Sequence, residues 1–206
     1  MTARLKLRFV MSADDLGQLP ATSAELAFVG RSNVGKSSLL NALGAQKTLA
    51  RVSKTPGRTR LLNLFDVDGG GTIVDCPGYG YASAPAKMRA SWKTTMERYL
   101  LEREGLAMIL VLVDGEIGPT ALDLQMLEWL RSYGRPHTVI ATKHDKVKSS
   151  ARDKRRHEVA EKCGLAPSEI VWVSATKGVG LDRLGELAHR VLSDPDQPTR
   201  PSRPGR

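Results

Sequence analysis

Cysteine is scarce in this chain of 206 residues, and the two that occur, Cys76 and Cys163, lie far apart. Without a CxxC pair or a cluster of cysteine and histidine, the sequence indicates neither a disulfide framework nor a zinc site. Long apolar runs are missing as well, since the longest, residues 106–113, is much shorter than a bilayer-spanning helix. The N-terminus has neither the apolar core nor the cleavage site of a secretory signal. We therefore expect a cytoplasmic monomer with no membrane partner.

Acidic residues are fewer than basic ones, 22 against 31, and the formal net charge is +9. Such a charge favours an anionic partner without identifying it. Between Glu25 and Asp66 there is no acidic residue, and a second stretch, residues 146–162, is rich in lysine and arginine. Both stretches suit either solvated surfaces or sequence-independent binding of an RNA backbone. Residues 31–60 and 146–162 contain no aromatic side chain, which argues against stacking of single-stranded bases.

Short apolar runs alternate with stretches of helical periodicity, which is typical of a wound α/β sheet. Six strands are predicted, at residues 26–29, 61–67, 72–74, 108–113, 138–141 and 170–173. Five helices are predicted, at residues 36–42, 88–101, 121–132, 150–163 and 181–192. Because the turn at residues 68–71 joins its two strands as a hairpin, one strand of the otherwise parallel sheet should be antiparallel.

These elements predict a three-layer α/β domain over residues 23–193, with a six-stranded, mostly parallel sheet and about five helices. An N-terminal extension, residues 1–22, should pack on this domain. The tail, residues 194–206, is rich in proline and polar residues and lacks large apolar groups. Such a segment buries too little surface to offset its ordering entropy, so we expect it to be disordered.

The stretch GRSNVGKSS at residues 30–38 matches the phosphate-loop pattern G-x-x-x-x-G-K-[ST]. It follows a predicted strand and opens a predicted helix, which is the context that the motif requires. Its backbone N–H groups can surround phosphates, and the helix N-terminus adds positive potential. We expect Lys36 to reach the β- and γ-phosphates and the Ser37 hydroxyl to bind Mg²⁺. The predicted phosphate-binding residues here are Gly30, Arg31, Ser32, Asn33, Val34, Gly35, Lys36, Ser37 and Ser38.

A second pattern, DCPG at residues 75–78, ends the predicted strand 72–74. The Asp75 carboxylate is placed to bind Mg²⁺ through a water molecule. The Gly78 N–H can approach a γ-phosphate because glycine has no side chain to block it. The pattern is weak alone and becomes specific after a phosphate loop, so Asp75, Cys76, Pro77 and Gly78 join the predicted phosphate site.

The third pattern, TKHD at residues 142–145, follows a predicted strand and indicates a guanine site. Asp145 can accept hydrogen bonds from the N1–H and the 2-amino group of guanine, whereas adenine offers neither donor, so the site favours GTP and GDP. The stem of Lys143 should lie along the base and brace the phosphate loop. Ser174, Ala175 and Thr176 resemble the loop whose backbone N–H meets the guanine carbonyl. The predicted guanine-binding residues are Thr142, Lys143, His144, Asp145, Ser174, Ala175 and Thr176.

With these motifs the chain resembles the translation-factor-related GTPases, and over residues 9–192 it is similar to the EngB (YihA/YsxC) family of bacterial ribosome-assembly GTPases. The stretches specific to that family are SKTPGRT at residues 53–59, LNLF at 62–65, DCPGYGYA at 75–82 and DLQMLEW at 123–129. At residues 114–117, DGEI, the chain departs from the family's usual Asp-x-Arg.

The resemblance implies a first switch loop at residues 46–60, in which Thr59 is a Mg²⁺ ligand that responds to the γ-phosphate. It places Gly57, Arg58, Thr59, Arg60 and Leu61 at the phosphates. It also implies binding to the maturing large ribosomal subunit, through ribosomal RNA and proteins, and a requirement for septation and cell division. The alternative is a nucleotide-gated binding protein of the division machinery with incidental hydrolysis. A P-loop kinase is disfavoured because TKHD selects guanine.

Tyr79 stands where Ras-like enzymes carry the glutamine that orients the attacking water. A phenol is a poor base at neutral pH, so no catalytic residue is predicted within the chain, and GTP hydrolysis should be slow without help. The help can come from the ribosome or from a potassium ion. Asn33 occupies the position of an asparagine ligand in several potassium-stimulated GTPases, and a local loop hydrogen bond explains this residue equally well.

Overall fold

The computed structural model describes residues 5–46, 48–50, 61–80 and 86–194. Its sheet has the strand order β1-β3-β4-β2-β5-β6-β7. The strands are β1 (Leu7–Ala13), β2 (Glu25–Gly30), β3 (Leu62–Val67), β4 (Thr72–Asp75), β5 (Leu106–Asp114), β6 (His137–Thr142) and β7 (Val171–Trp172). β3 runs opposite to the other strands, which confirms the α/β class with one antiparallel strand.

The sheet has seven strands, so the prediction of six is wrong by one. The additional strand, β1, lies in the predicted N-terminal extension and pairs with β3 at the edge of the sheet. A bulge between Phe9 and Met11 shifts the register, and Arg8, Phe9 and Val10 are all exposed. The strand therefore lacks the strict alternation of polar and apolar residues by which sequence patterns identify strands.

Five α-helices within the described residues cover both faces of the sheet: α1 (Lys36–Leu43), α2 (Ala86–Glu102), α3 (Ala121–Ser132), α4 (Arg152–Cys163) and α5 (Leu181–Ser193). On one face, Tyr99 of α2, Leu127 of α3 and Val159 of α4 are fully buried against the sheet. On the other face, Leu40 of α1 and Leu184 of α5 are fully buried. The three-layer arrangement is confirmed, and β5 is accordingly apolar along nearly its whole length. None of these helices is both long enough and apolar enough to cross a bilayer.

A buried ion pair fastens the end of α2 to the beginning of β2. Glu25 is fully buried, and its carboxylate accepts hydrogen bonds from Nε and Nη2 of Arg103, both at 3.0 Å. The hydroxyl groups of Tyr99 and Thr72 donate to the same carboxylate at 2.9 and 2.8 Å. Since β2 begins at Glu25 and ends at Gly30, this cluster lies at the end of the sheet away from the predicted phosphate loop.

Candidate functional site

The predicted site residues follow the carboxyl ends of four parallel strands. The phosphate loop follows β2, Asp75 ends β4, TKHD begins at the end of β6, and Ser174 follows β7. Because the carboxyl ends of parallel strands meet at one edge of the sheet, these segments share one site, as is usual for ligands of open α/β sheets.

The phosphate loop has the backbone geometry of an anion site. Asn33 and Gly35 have φ angles of 65° and 107°, and α1 begins directly afterwards at Lys36, so the N–H groups at its first turn face the loop. Lys36 is buried, and its Nζ donates to the carbonyl of Gly30 at 3.1 Å. The Thr142 hydroxyl donates to the carbonyl of Val34 at 2.7 Å and thereby joins the loop to the end of β6.

Asp75 has the properties of a carboxylate placed to reach a metal ion. Its Oδ1 is buried and has no hydrogen-bond partner among the described residues. Burial raises the pKa of its carboxyl group to about 6, against the charge of Lys36 and a hydrogen bond from Ser37, which lower it. A carboxylate beside a serine hydroxyl is the kind of oxygen donor set that Mg²⁺ prefers, so these residues fit the implied ion.

Residues 78–80 lie directly on the phosphate loop. The Ser32 N–H donates to the carbonyl of Tyr79 at 3.1 Å, and the Tyr79 N–H donates to the carbonyl of Gly30 at 3.3 Å. A side chain at Gly78 has no room, because its Cβ would lie 2.9 Å from the Ser32 nitrogen and 3.1 Å from Lys36 Nζ. Gly78 thus approaches the lysine that is predicted to bind the phosphates.

The Tyr79 side chain turns towards α3. Its hydroxyl donates to Oδ1 of Asp123 at 2.8 Å, and its ring packs against the apolar core beneath. Burial, and then the neighbouring Asp123, raise the pKa of this phenol above its ordinary value. A phenol that is neutral and already donates its proton to Asp123 does not orient an attacking water.

The predicted base site is centred on Asp145. Its Oδ1 accepts a hydrogen bond from the Ser174 hydroxyl at 2.6 Å, and this bond is the main reason why the pKa of Asp145 is lowered. Ser174 is fully buried and also accepts from the Lys177 N–H at 3.1 Å, so the hydroxyl has a fixed place. The site therefore holds an ionised carboxylate, half-buried, which is the group that guanine's two donors require.

Lys143 and His144 take positions that the sequence pattern did not predict. Lys143 Nζ donates to Oδ2 of Asp114 at 2.6 Å, and the contact to the phosphate loop comes from Thr142 instead. His144 is buried, with its ring edge-to-face against Trp172 at a centroid distance of 5.5 Å. Burial lowers the pKa of this histidine, and the nearby charges of Arg152 and Arg156 lower it further.

The structure describes some of the remaining predicted site residues and not others. Cys76 is fully buried, and burial raises the pKa of its thiol. Asn33 is exposed, and no side-chain hydrogen bond to it is found within the part of the chain that the structure describes. Leu61, 38% exposed, precedes β3. Gly57, Arg58, Thr59 and Arg60 lie outside the described residues, as do most of the predicted switch loop and of the tail.

Two buried acids were not predicted as site residues, Asp114 and Asp123. Asp114 holds Lys143, and its Oδ1 accepts from the N–H groups of Glu116 and Ile117 at 2.9 and 3.3 Å. Asp123 binds Tyr79 and also accepts from Arg31 Nε at 3.3 Å. Two signals pointed to them: Asp114 ends a strand, as Asp75 does, and Thr120 with Asp123 has the spacing of a capping box.

Comparison with known sequences gives consistent matches. A family model described as "50S ribosome-binding GTPase" matches residues 25–143. The probable GTP-binding protein EngB of Pelotomaculum thermopropionicum is 46% identical over 184 residues, which are 88% of this chain and 93% of the relative. Its counterpart in Geobacter sulfurreducens is 42% identical over 180 residues, 87% of each chain.

Solved structures give the same result for the fold. A probable GTP-binding protein EngB superimposes with a TM-score of 0.68 at 26% identity, over 83% of this chain and all of the other. Era in complex with MgGDPNP and a segment of 16S ribosomal RNA superimposes with a TM-score of 0.65 at 26% identity. That match covers 84% of this chain and 58% of Era.

Proposed function

The chain belongs to the EngB family of GTP-binding proteins, and from this premise we propose that it is a GTP-dependent switch in assembly of the large ribosomal subunit. It is a GTPase, so its reaction is the hydrolysis of GTP to GDP and phosphate. The proposal adds that the γ-phosphate controls whether the protein binds the maturing subunit in the cytoplasm. A requirement for cell division, which the family resemblance implies, would be a consequence of this role.

Each part of the site has a task in this reaction. Lys36 and the N-terminus of α1 supply positive charge to the phosphates, and Asp145 with Ser174 selects guanine. Ser37, Asp75 and the undescribed Thr59 are the residues that would hold Mg²⁺. When bound, Mg²⁺ neutralises charge that develops on the β- and γ-phosphate oxygens.

The proposed switch rests on one observation: residues 78–80 pair with the phosphate loop next to Lys36. Gly78 comes so close to Lys36 Nζ that a Cβ there would lie 3.1 Å away. Both GDP and GTP place a β-phosphate at Lys36, but only GTP adds a γ-phosphate there. This additional phosphate has to contact the segment or move it. Such ordering or displacement of a segment by a γ-phosphate is how other GTPases signal their nucleotide state.

We expect slow hydrolysis without a helper, because Tyr79, at the position of the missing glutamine, donates its proton to Asp123. Ribosomal RNA is one candidate helper, and the net charge of +9 suits an anionic partner of this kind. Potassium held by Asn33 is the other candidate. Asn33 is exposed, so its side chain is accessible to an ion.

Co-sedimentation with large ribosomal subunits tests the proposed function. The protein should sediment with the subunits when it carries a non-hydrolysable GTP analogue and should stay in the supernatant with GDP. The Thr59→Ala variant should bind GDP almost normally and should lose the GTP-dependent part of the association. Equal association with both nucleotides would refute the proposed switch. No association with either nucleotide would refute the ribosomal role and would favour the alternative role in the division machinery.

A further inference from the structure

We propose that Asp123 is a positioning residue that holds residues 78–80 on the phosphate loop, so that GTP, but not GDP, has to break this contact in order to bind. In this proposal the Asp123 carboxylate is the group that opposes binding of the γ-phosphate. The inference rests on the proposed γ-phosphate response and goes beyond it, because neither the phosphate-loop pattern nor the DCPG pattern contains Asp123.

Asp123 is suited to this task because it is fully buried. It stands in the first turn of α3, where its Oδ2 accepts from the N–H and the hydroxyl of Thr120, both at 2.8 Å. These two bonds fix the carboxylate to its own helix, and α3 is packed on the sheet through Leu127 and Leu130. The Asp123 carboxylate is therefore held by its own helix and is not a surface side chain.

Asp123 contacts both the segment 78–80 and the phosphate loop. Its Oδ1 accepts from the Tyr79 hydroxyl at 2.8 Å, and its Oδ2 accepts from Arg31 Nε at 3.3 Å. Tyr79 follows Gly78 in the switch segment, and Arg31 follows Gly30 in the phosphate loop. One buried carboxylate therefore ties the two segments to each other, in addition to their backbone pairing.

The geometry explains why the contact would discriminate between nucleotides. With Tyr79 held by Asp123, the backbone of Tyr79 occupies the Ser32 N–H and the Gly30 carbonyl, at 3.1 and 3.3 Å. Gly78 then lies beside Lys36 Nζ. The β-phosphate at Lys36 is common to GDP and GTP and would leave this pairing in place, whereas the additional γ-phosphate of GTP would compete with it. The bond between Tyr79 and Asp123 should therefore lower the affinity for GTP relative to GDP.

Deleting the Tyr79 hydroxyl tests the proposal with the smallest possible change. Tyr79→Phe should bind GDP within about twofold of the wild type. Its affinity for a non-hydrolysable GTP analogue should rise about tenfold, as expected for the loss of a hydrogen bond to a charged acceptor. Tyr133→Phe is the matched control, because Tyr133 is exposed at the end of α3 and should leave both affinities unchanged. Titration of both nucleotides into each variant gives the ratio of the affinity for the GTP analogue to the affinity for GDP.

A second variant, Asp123→Asn, removes the charge that binds Arg31 and should raise the same ratio of affinities. An unchanged ratio in both variants would overturn the proposal. Loss of GDP binding in a variant that still folds would also overturn it, since Asp123 would then be part of the GDP site itself. Because these titrations contain no ribosome, they succeed or fail independently of the co-sedimentation result.

Discussion

Asp145→Asn should change the base preference of the site from guanine towards xanthine. The Asp145 carboxylate is ionised and oriented by the Ser174 hydroxyl at 2.6 Å. In the proposed base site it is the acceptor for both donors of guanine. An asparagine presents an N–H group at one of these positions, where guanine also presents a donor, while xanthine has a carbonyl group there. Sites that depend on paired polar groups discriminate by about 10⁴ or more, so the ratio of GTP to XTP affinity should fall by about that factor.

Titration of GTP and XTP into the variant measures this ratio directly. Asp68→Asn is a suitable control, because Asp68 forms an exposed ion pair with Lys6 in the hairpin at the other end of the sheet. The control should keep the wild-type preference for GTP. If Asp145→Asn also kept it, Asp145 would not be part of the base site.

Arg103→Met should destabilise the protein by about 3–5 kcal/mol, because it leaves the fully buried carboxylate of Glu25 without its cation. Tyr99 and Thr72 would still donate hydrogen bonds to that carboxylate, but neither carries a charge. Methionine replaces most of the apolar volume of arginine, so the loss would come from the unpaired charge more than from a cavity.

Denaturant unfolding at neutral pH measures the free energy of unfolding of this variant. Arg98→Met is the matched control: Arg98 also pairs with acids, Asp15 and Glu102, but those pairs are exposed and worth at most about 1 kcal/mol. The affinity for nucleotides should be unchanged in both variants, because the cluster lies at the amino end of β2. A loss for Arg103→Met no larger than for Arg98→Met would show that the pair contributes little.

The sequence predicted most of the fold because local patterns identify most elements. The buried strands of the parallel sheet read as short apolar runs, and α3 has the bounds that its helical spacing predicts, Ala121–Ser132. β1 escaped prediction because the bulge near Val10 and three exposed residues in a row remove the alternation. Its position is set by pairing with β3, whose residues lie 49 to 60 positions later in the chain, and no local sequence pattern predicts such pairing.

The candidate site follows the same rule. The residues predicted to bind the nucleotide through a continuous motif, such as Lys36 and Asp145, could be proposed from their spacing alone, and the structure brings their segments to one edge of the sheet. Asp114 and Asp123 act on Lys143 and Tyr79, from which they are 29 and 44 positions away. These pairs depend on which strand ends and helix ends meet in space, so they became visible only in the structure.

Phosphate release from GTP and from ATP, followed under single-turnover conditions in a potassium buffer, is the most direct test of the GTPase site. We expect release from GTP that is slow for the protein alone, on the order of 10⁻⁴ s⁻¹, and faster when large ribosomal subunits are added. We expect no measurable release from ATP at the same concentration, and none from GTP with the Lys36→Ala variant. Release from ATP at a similar rate, or undiminished release from GTP by Lys36→Ala, would contradict the site described for this chain.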